Sequence, residues 1–110
     1  KAEEMAELIW APSALKDIDE IARYISNDSL QAAENMVQLF FDRTEVLQTH
    51  PNFGKPVPEL ESKRFRELPV SRYRIIYEVV SKNKIHILTV HHQSRLLENN
   101  PVYKKRLKRK

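Results

Sequence analysis

The chain has 110 residues, 41% hydrophobic and 31% charged, a composition typical of one globular domain. It has no cysteine and a single glycine, Gly54, which excludes disulfides, thiolate metal sites, cysteine nucleophiles and glycine-rich phosphate loops. Residues 1–50 hold 4 Lys/Arg and 10 Asp/Glu, whereas residues 51–110 hold 15 and 5, so we predict an acidic face and a basic face.

The basic half has two interpretations. It either meets nucleic acid or an acidic protein, or it is simply a solvated surface. No apolar run approaches eighteen residues, so we expect a cytoplasmic protein with no membrane partner. We treat residues 1–110 as one domain, with Met5 as a candidate natural start, Lys1–Glu4 as an expression remnant and residues 99–110 as a basic tail.

The first half predicts a strand and two helices. The apolar run Glu7–Trp10 indicates a strand that Pro12 ends. A helix follows from Pro12, with the Ser13 hydroxyl as its cap and an end at residues 27–29. Its buried positions recur at helical spacing at Leu15, Ile18, Ile21, Ala22 and Ile25.

A second helix follows at once and ends at His50-Pro51, so the two helices form an antiparallel hairpin. Its buried stripe is Ala33, Met36, Val37, Phe40 and Leu47.

The second half changes to the alternation of strands. After a loop over residues 51–62, we predict strands over Lys63–Leu68, Arg72–Val80 and Ile85–His91. A turn with Asn83 at positive φ joins the last two strands. In the middle strand, one face carries Tyr73, Ile75, Tyr77 and Val79, and the other carries Arg72, Arg74, Ile76 and Glu78. The fold class is therefore α+β in the order β-α-α-β-β-β, a helical hairpin on one face of a small, mostly antiparallel sheet whose other face is open.

Candidate site residues follow from that open face, which would carry Arg66, Arg72, Arg74, His91, His92 and Arg95. His91 and His92 are adjacent, so they point to opposite faces and only one of them can act; we expect neither a metal site nor a cofactor. Arg72 and Arg74 would share a face and hold one phosphate. In metal-free RNA cleavage, a histidine supplies the base or acid and the arginines stabilise charge on phosphorus.

The bland alternative is that Arg72 and Arg74 pair with Glu67 and Glu78 and that one histidine is a satisfied, half-buried side chain. The tail has the same two interpretations. Residues 104–110 hold six cations in seven positions, which either grip phosphates or form a frayed, solvated end.

Four segments together resemble the RelE/ParE superfamily of toxins from bacterial type II toxin–antitoxin modules, over about residues 8–97. They are WAPSALKDIDEIARYI (residues 10–25), HPNFGKP (50–56), FRELPVSRYRIIYEV (65–79) and ILTVHHQSR (87–95). The resemblance implies the fold predicted above and a role in plasmid stabilisation. It also implies a cognate antitoxin, whose extended acidic segment would cover the helical hairpin and reach the basic sheet face.

The superfamily divides by target. The hairpin of about forty residues and the H-x-x-R arrangement of His92 and Arg95 resemble ParE-like toxins, which poison DNA gyrase. RelE-like toxins cleave mRNA on the ribosome, and for that chemistry Arg66, Arg72 and Arg74 match the basic middle strands, while His91, His92 or the distant Tyr103 would be the acid or base. As catalytic candidates we name His91, His92, Arg72 and Arg74, and as target- or phosphate-binding candidates Arg66, Arg95, Tyr103, Lys104, Lys105 and Arg106.

Three functional hypotheses therefore stand: a growth-inhibiting gyrase poison, a ribosome-dependent mRNA endoribonuclease that needs no metal, and an inactive toxin retained as a binding module.

Overall fold

The computed structural model of the protein describes residues 5–107. Five strands form one sheet in the order β1-β5-β4-β3-β2, in which β1 and β5 are parallel and every other pair is antiparallel. The strands are β1 (Glu7–Trp10), β2 (Lys55–Pro56), β3 (Phe65–Val70), β4 (Tyr73–Ser81) and β5 (Lys84–His92). The helices α1 (Pro12–Ser26) and α2 (Leu30–Thr44) pack on one face, so the predicted fold class is confirmed. In the described part of the chain, no helix is long and apolar enough to cross a membrane.

The main core lies between the helical hairpin and the sheet. Ile18 of α1 and Phe40 of α2 pack against Ile75, Tyr77 and Ile87 of the central strands. Alternation along β4 sends Tyr73, Ile75, Tyr77 and Val79 to this side, as predicted. The predicted stripe of the second helix is also confirmed, since its members are buried or half-buried, although Leu47 lies beyond the end of α2. In the first helix Leu15 is 45% exposed, so its place in the predicted stripe is wrong.

The helix ends agree with the predictions in one place and differ in two. Ser29, in the predicted break between the helices, caps α2 by accepting a hydrogen bond from the Ala32 amide at 3.0 Å. Ser13 caps nothing: Ala11 stands at the N-cap of α1, and the Ser13 hydroxyl donates to the Leu88 carbonyl at 2.6 Å. The second helix becomes a 3₁₀ turn over Glu45–Gln48 instead of continuing to His50.

The connections also correct the predictions. The loop over residues 51–62 contains β2, which pairs Lys55 with Glu67 and Pro56 with Arg66. Within residues 5–107, Ser71 is the one non-glycine residue with positive φ (56°), so the expectation for Asn83 is wrong. Ser71 is the first of the two residues between β3 and β4, where a type II′ turn requires positive φ.

The second face of the sheet is not open, which overturns the layout predicted from the sequence. Phe65, Ile76 and Leu88 point to this side and are covered by Val57 and by the chain that follows β5. That chain forms a 3₁₀ turn (Leu97–Asn99) and a π-helical turn (Tyr103–Leu107), which contribute Leu97 and Leu107, both fully buried. A sheet face with this much apolar surface needs a cover, and the apolar residues of the tail supply it.

The prediction of a frayed tail is therefore wrong for Tyr103–Leu107. Arg106 helps to hold the C-terminal turn on the second face of the sheet through an ion pair with the buried Glu78 at 2.8 Å. The predictions for Lys1–Glu4 and for the last three tail residues lie outside the described residues.

Candidate functional site

A groove of about 930 Å³ opens between α1 and the end of β5. One wall comes from the helical hairpin, where Ile21, Tyr24, Ile25 and Met36 stand beside the carboxylates Asp17 and Glu20. The opposite wall is polar and cationic and comes from the β3–β4 turn and the chain after β5, with Arg72, His92, Arg95, Leu96 and Asn99. Of the predicted site residues, Arg72, His91, His92 and Arg95 meet here.

Arg72 is held at the groove by the β3–β4 turn. Gln93 ties that turn to the end of β5, because its amide donates to the Arg72 carbonyl at 2.8 Å and its side chain donates to the Ser71 and Tyr73 carbonyls at 3.2 and 3.0 Å. The Arg72 side chain itself is exposed. These bonds fix the backbone that carries Arg72 at the groove wall.

His92 is the histidine that faces the groove with its ring partly exposed. The ring meets Tyr73 edge-to-face at 5.2 Å, and its Nδ1 accepts from the Ser94 amide at 3.1 Å. Because an amide only donates, Nδ1 is the acceptor, and the neutral ring carries its proton on Nε2. Arg95 lies one turn further, its amide donating to the His92 carbonyl at 3.1 Å.

His91 is buried and committed to internal hydrogen bonds. Its Nδ1 accepts from the Asn100 side-chain amide at 3.0 Å, and its Nε2 donates to the Arg95 carbonyl at 2.9 Å. The two histidines thus divide as their adjacency predicted: one is satisfied inside the protein and the other reaches the surface.

Sequence reasoning missed the network that surrounds His91. The Asn100 amide also donates to the Thr89 hydroxyl at 3.1 Å, and Thr89 donates to Asp17 of α1 at 2.5 Å. Asp17 in addition accepts from the Val90 amide at 2.9 Å. The sequence did hold one sign of this network, the spacing of Ser13 and Asp17, which are one helical turn apart and so lie on the same side of α1. Both side chains bond to the second half of β5, which β1 does not pair with.

Arg74 and Arg66 do not reach the groove. Arg74 pairs with Glu59 and Glu67, each at 2.7 Å, and these contacts hold its pKa above the usual range. It lines a separate cavity of about 290 Å³, whereas Arg72 lines the groove, so the structure does not bring the two arginines to one site as predicted. Arg66 donates to the Gly54 and Asn52 carbonyls at 2.6 and 3.3 Å and so holds the loop before β2.

The bland alternative for the arginines is therefore correct for Arg74 and Glu67, whereas Glu78 pairs with Arg64 and Arg106. The tail candidates Tyr103, Lys104, Lys105 and Arg106 lie with the second face of the sheet, away from the groove. In residues 5–107, no three histidine or carboxylate side chains come together as metal ligands.

Asp17 makes the stability of the groove wall depend on pH. Burial raises its pKa above the ordinary value of 3.8, and the hydrogen bonds from Thr89 and Val90 offset this only in part. The native state therefore keeps the proton to higher pH than the unfolded state, and stability falls as pH rises from about 3.8 to the native pKa. We expect Asp17→Asn to remove this loss, so that the variant gains stability relative to wild type as pH rises, measured by urea unfolding between pH 3.5 and 7.

Glu59 provides a control of opposite sign. Hydrogen bonds from Arg74 lower its pKa, so its contribution is present above pH 4.5 and is lost as pH falls through the native pKa. Glu59→Gln should therefore lose stability relative to wild type as pH rises. Parallel pH profiles for wild type and Asp17→Asn would contradict the assignment to Asp17.

Comparison with known proteins finds a family model and a curated relative that are both described as toxins. Residues 8–97 match the family model described as "ParE toxin of type II toxin-antitoxin system, parDE". Toxin RelE2 of Caulobacter vibrioides is 30% identical over 92 residues, which is 84% of this chain and 100% of that protein.

Two solved structures share the fold. The chromosomal ParDE system from P. aeruginosa superposes with a TM-score of 0.66 at 25% identity, covering 82% of this chain and 98% of that one. A chain of the toxin–antitoxin complex RelBE2 from Mycobacterium tuberculosis gives a TM-score of 0.52 at 20% identity, over 80% of this chain and 98% of that one, and this likeness concerns the fold alone.

Proposed function

The chain belongs to the ParE toxin family of type II toxin–antitoxin systems, and from this premise we propose that it inhibits growth by binding DNA gyrase through the groove between α1 and the end of β5. The observation that carries the proposal is the composition of the groove walls, where apolar and aromatic side chains of the hairpin, beside the carboxylates Asp17 and Glu20, face the cations Arg72 and Arg95.

The exposed side chains of the groove are those that protein interfaces use. Tyr24 is 76% exposed on the hairpin wall, and Leu96 is 67% exposed beside Arg95 on the other wall. Tyrosine and arginine are enriched among the residues that dominate binding energy, and each needs a partner that removes it from water. Large apolar side chains left in water on both sides of one groove favour a protein occupant.

The internal bonding of the other candidates favours the same conclusion. Arg74 is neutralised by two carboxylates, His91 is closed in by Asn100 and Arg95, and Arg66 is bonded to loop carbonyls. Phosphodiester cleavage needs free cations and an accessible acid or base around one phosphate. The larger catalytic set predicted from the sequence would therefore have to break these contacts first.

A cognate antitoxin is the second partner we propose. The family model that matches this chain and a solved structure 25% identical to it are both described as parts of toxin–antitoxin systems. An extended acidic segment that covers the helical hairpin and reaches the basic second half suits the charge of this chain, which rises from net negative to net positive along the sequence. Its binding would occlude the groove and so prevent the toxin from reaching its target.

An mRNA endoribonuclease remains the second candidate, because His92, Arg72 and Arg95 line one groove. In this alternative His92 is the acid or base through Nε2, and the two arginines stabilise the charge on phosphorus. His91 and Arg74 would have no direct part in it.

Purified toxin should inhibit the supercoiling activity of gyrase, and variants of the groove should lose this inhibition. We expect Arg95→Glu to raise the half-inhibitory concentration about thirtyfold, the equivalent of about 2 kcal/mol at an interface hot spot, and Leu96→Ala to raise it about fivefold, the equivalent of about 1 kcal/mol. Arg43→Glu and Leu30→Ala are matched controls, since both residues are exposed on α2 outside the groove, and they should leave inhibition unchanged.

Other outcomes separate the hypotheses. Absence of inhibition at large molar excess would contradict the gyrase proposal. Cuts in translated mRNA that His92→Ala abolishes, mapped by primer extension, would establish the endoribonuclease instead. Normal growth on expression without an antitoxin would leave only the inactive binding module.

A further inference from the structure

A cationic surface lies on the second face of the sheet, at the end where β4 and β5 turn. We call it the hairpin-end patch and define it by the exposed side chains Arg64, Lys84, Lys104, Lys105 and Arg106. Neither the groove nor the smaller cavity includes any of these residues. The function proposed above does not use this surface.

Glu78 gathers the arginines of the patch. One of its carboxylate oxygens accepts from Arg64 and the other from Arg106 at 2.8 Å, so the two guanidinium groups are neighbours. The Glu78 side chain is 6% exposed, whereas Arg64 is 56% and Arg106 48% exposed. One buried carboxylate thus anchors two cations whose outer edges remain in water, and the pair keeps a net positive charge.

Strand register places Lys84 in the patch. His86 lies directly opposite Glu78, and Lys84 precedes His86 by two residues on β5. Ile85 and Ile87 point to the helix side, so alternation sends Lys84 and His86 to the second face. Lys104 and Lys105 are exposed on the turn that Leu107 and Arg106 fasten to this face.

The patch and the helical hairpin differ in charge. The hairpin, over residues 12–44, carries six carboxylates and three cations, whereas the five cations of the patch outnumber Glu78, and Glu59 and Glu67 elsewhere on the second face are paired with Arg74. This difference orients the molecule in the field of a strongly anionic partner, with the patch towards that partner.

We propose that the hairpin-end patch binds the phosphate backbone of duplex DNA. Protein interfaces deplete lysine and bury an apolar centre, whereas contacts with the DNA backbone use lysine and arginine to neutralise phosphates. The patch is rich in lysine, and its neighbours Leu107 and Phe65 are buried in the fold. The choice of duplex DNA rests on the proposed function, because a toxin on gyrase lies beside the DNA that gyrase holds.

Fluorescence anisotropy with a labelled 30-base-pair duplex tests this directly, with toxin alone and no gyrase present. We expect binding to weaken with salt at a slope of about −0.9 per phosphate contact, about −4 in all, without sequence preference. Lys104→Glu/Lys105→Glu should weaken binding at least about tenfold at low salt and reduce the slope by about 2. Lys84→Glu is a second variant, on a strand instead of the tail, and should reduce the slope by about 1.

Lys16→Glu/Arg43→Glu is the matched control, because both residues are exposed on the helices and the change in charge is the same as in the double lysine variant. Equal loss of binding in this control, or no binding by wild type at low salt, would overturn the proposal. Tighter binding of polyglutamate than of the duplex would also overturn it and would assign the patch to an acidic protein.

The supercoiling assay keeps this inference separate from the proposed function. DNA binding that depends on the patch, without any inhibition of gyrase, would support the patch and contradict the gyrase target. Inhibition of gyrase that is unaffected by Lys104→Glu/Lys105→Glu, together with no DNA binding, would support the gyrase target and overturn the role of the patch.

Discussion

Replacing Gly54 with alanine should destabilise the protein by about 3–5 kcal/mol, a large part of the stability of a domain of this size. A Cβ at this position would lie 2.4 Å from the Glu67 carbonyl oxygen and 2.7 Å from the Tyr77 hydroxyl. The first contact is with the backbone of β3, which pairs with the next residue, Lys55. Since the φ of Gly54 is not positive, close approach and not conformational freedom requires glycine here.

The second contact is equally rigid. Tyr77 is fully buried, and its hydroxyl accepts from the Gly54 amide and donates to the Pro51 carbonyl, both at 2.9 Å. Any shift of the ring away from a new methyl group would break both hydrogen bonds inside the protein. Burial also raises the pKa of Tyr77, so the hydroxyl keeps its proton as a donor.

Urea unfolding measures this prediction, with Phe53→Ala as the neighbouring control. Phe53 is 60% exposed, so its truncation should change the free energy of unfolding by about 0.5 kcal/mol or less. Equal stability of Gly54→Ala and wild type would show that the loop does not pass against β3 and Tyr77 as described.

Truncation of Leu107 to alanine should cost about 2–5 kcal/mol, although the residue lies in a segment whose composition is that of a solvated tail. Leu107 is fully buried in a cluster with Val57, Phe65, Ile76 and Leu88. Its loss would leave a cavity over the second face of the sheet, where a methyl group cannot fill the space.

Leu96→Ala is the matched control, because it removes the same atoms from a side chain that is 67% exposed and should change the free energy of unfolding by about 0.5 kcal/mol or less. If the two variants had the same midpoint in urea, the C-terminal turn would not be part of the folded domain.

Patterns within each element predicted the elements themselves. The stripe of α2 and the alternation of β4 depend on which residues one element must bury, and a window of ten residues contains that information. The four family segments likewise pointed to the superfamily to which the chain belongs. The cover on the second face could also have been predicted, because Leu97, Val102 and Leu107 are apolar residues of the C-terminal segment. The run of cations in the tail led instead to the prediction of a solvated end.

The sequence by itself determined the order of elements, the sides they bury, the uneven charge and the family. Only the tertiary structure decided which of the charged and polar candidates are free to act. Arg74 meets Glu59 across 15 residues, Arg106 meets Glu78 across 28, and Thr89 meets Asp17 across 72. Such partners come together through the packing of whole elements, so no local period encodes them, and burial then fixes which charges stay paired.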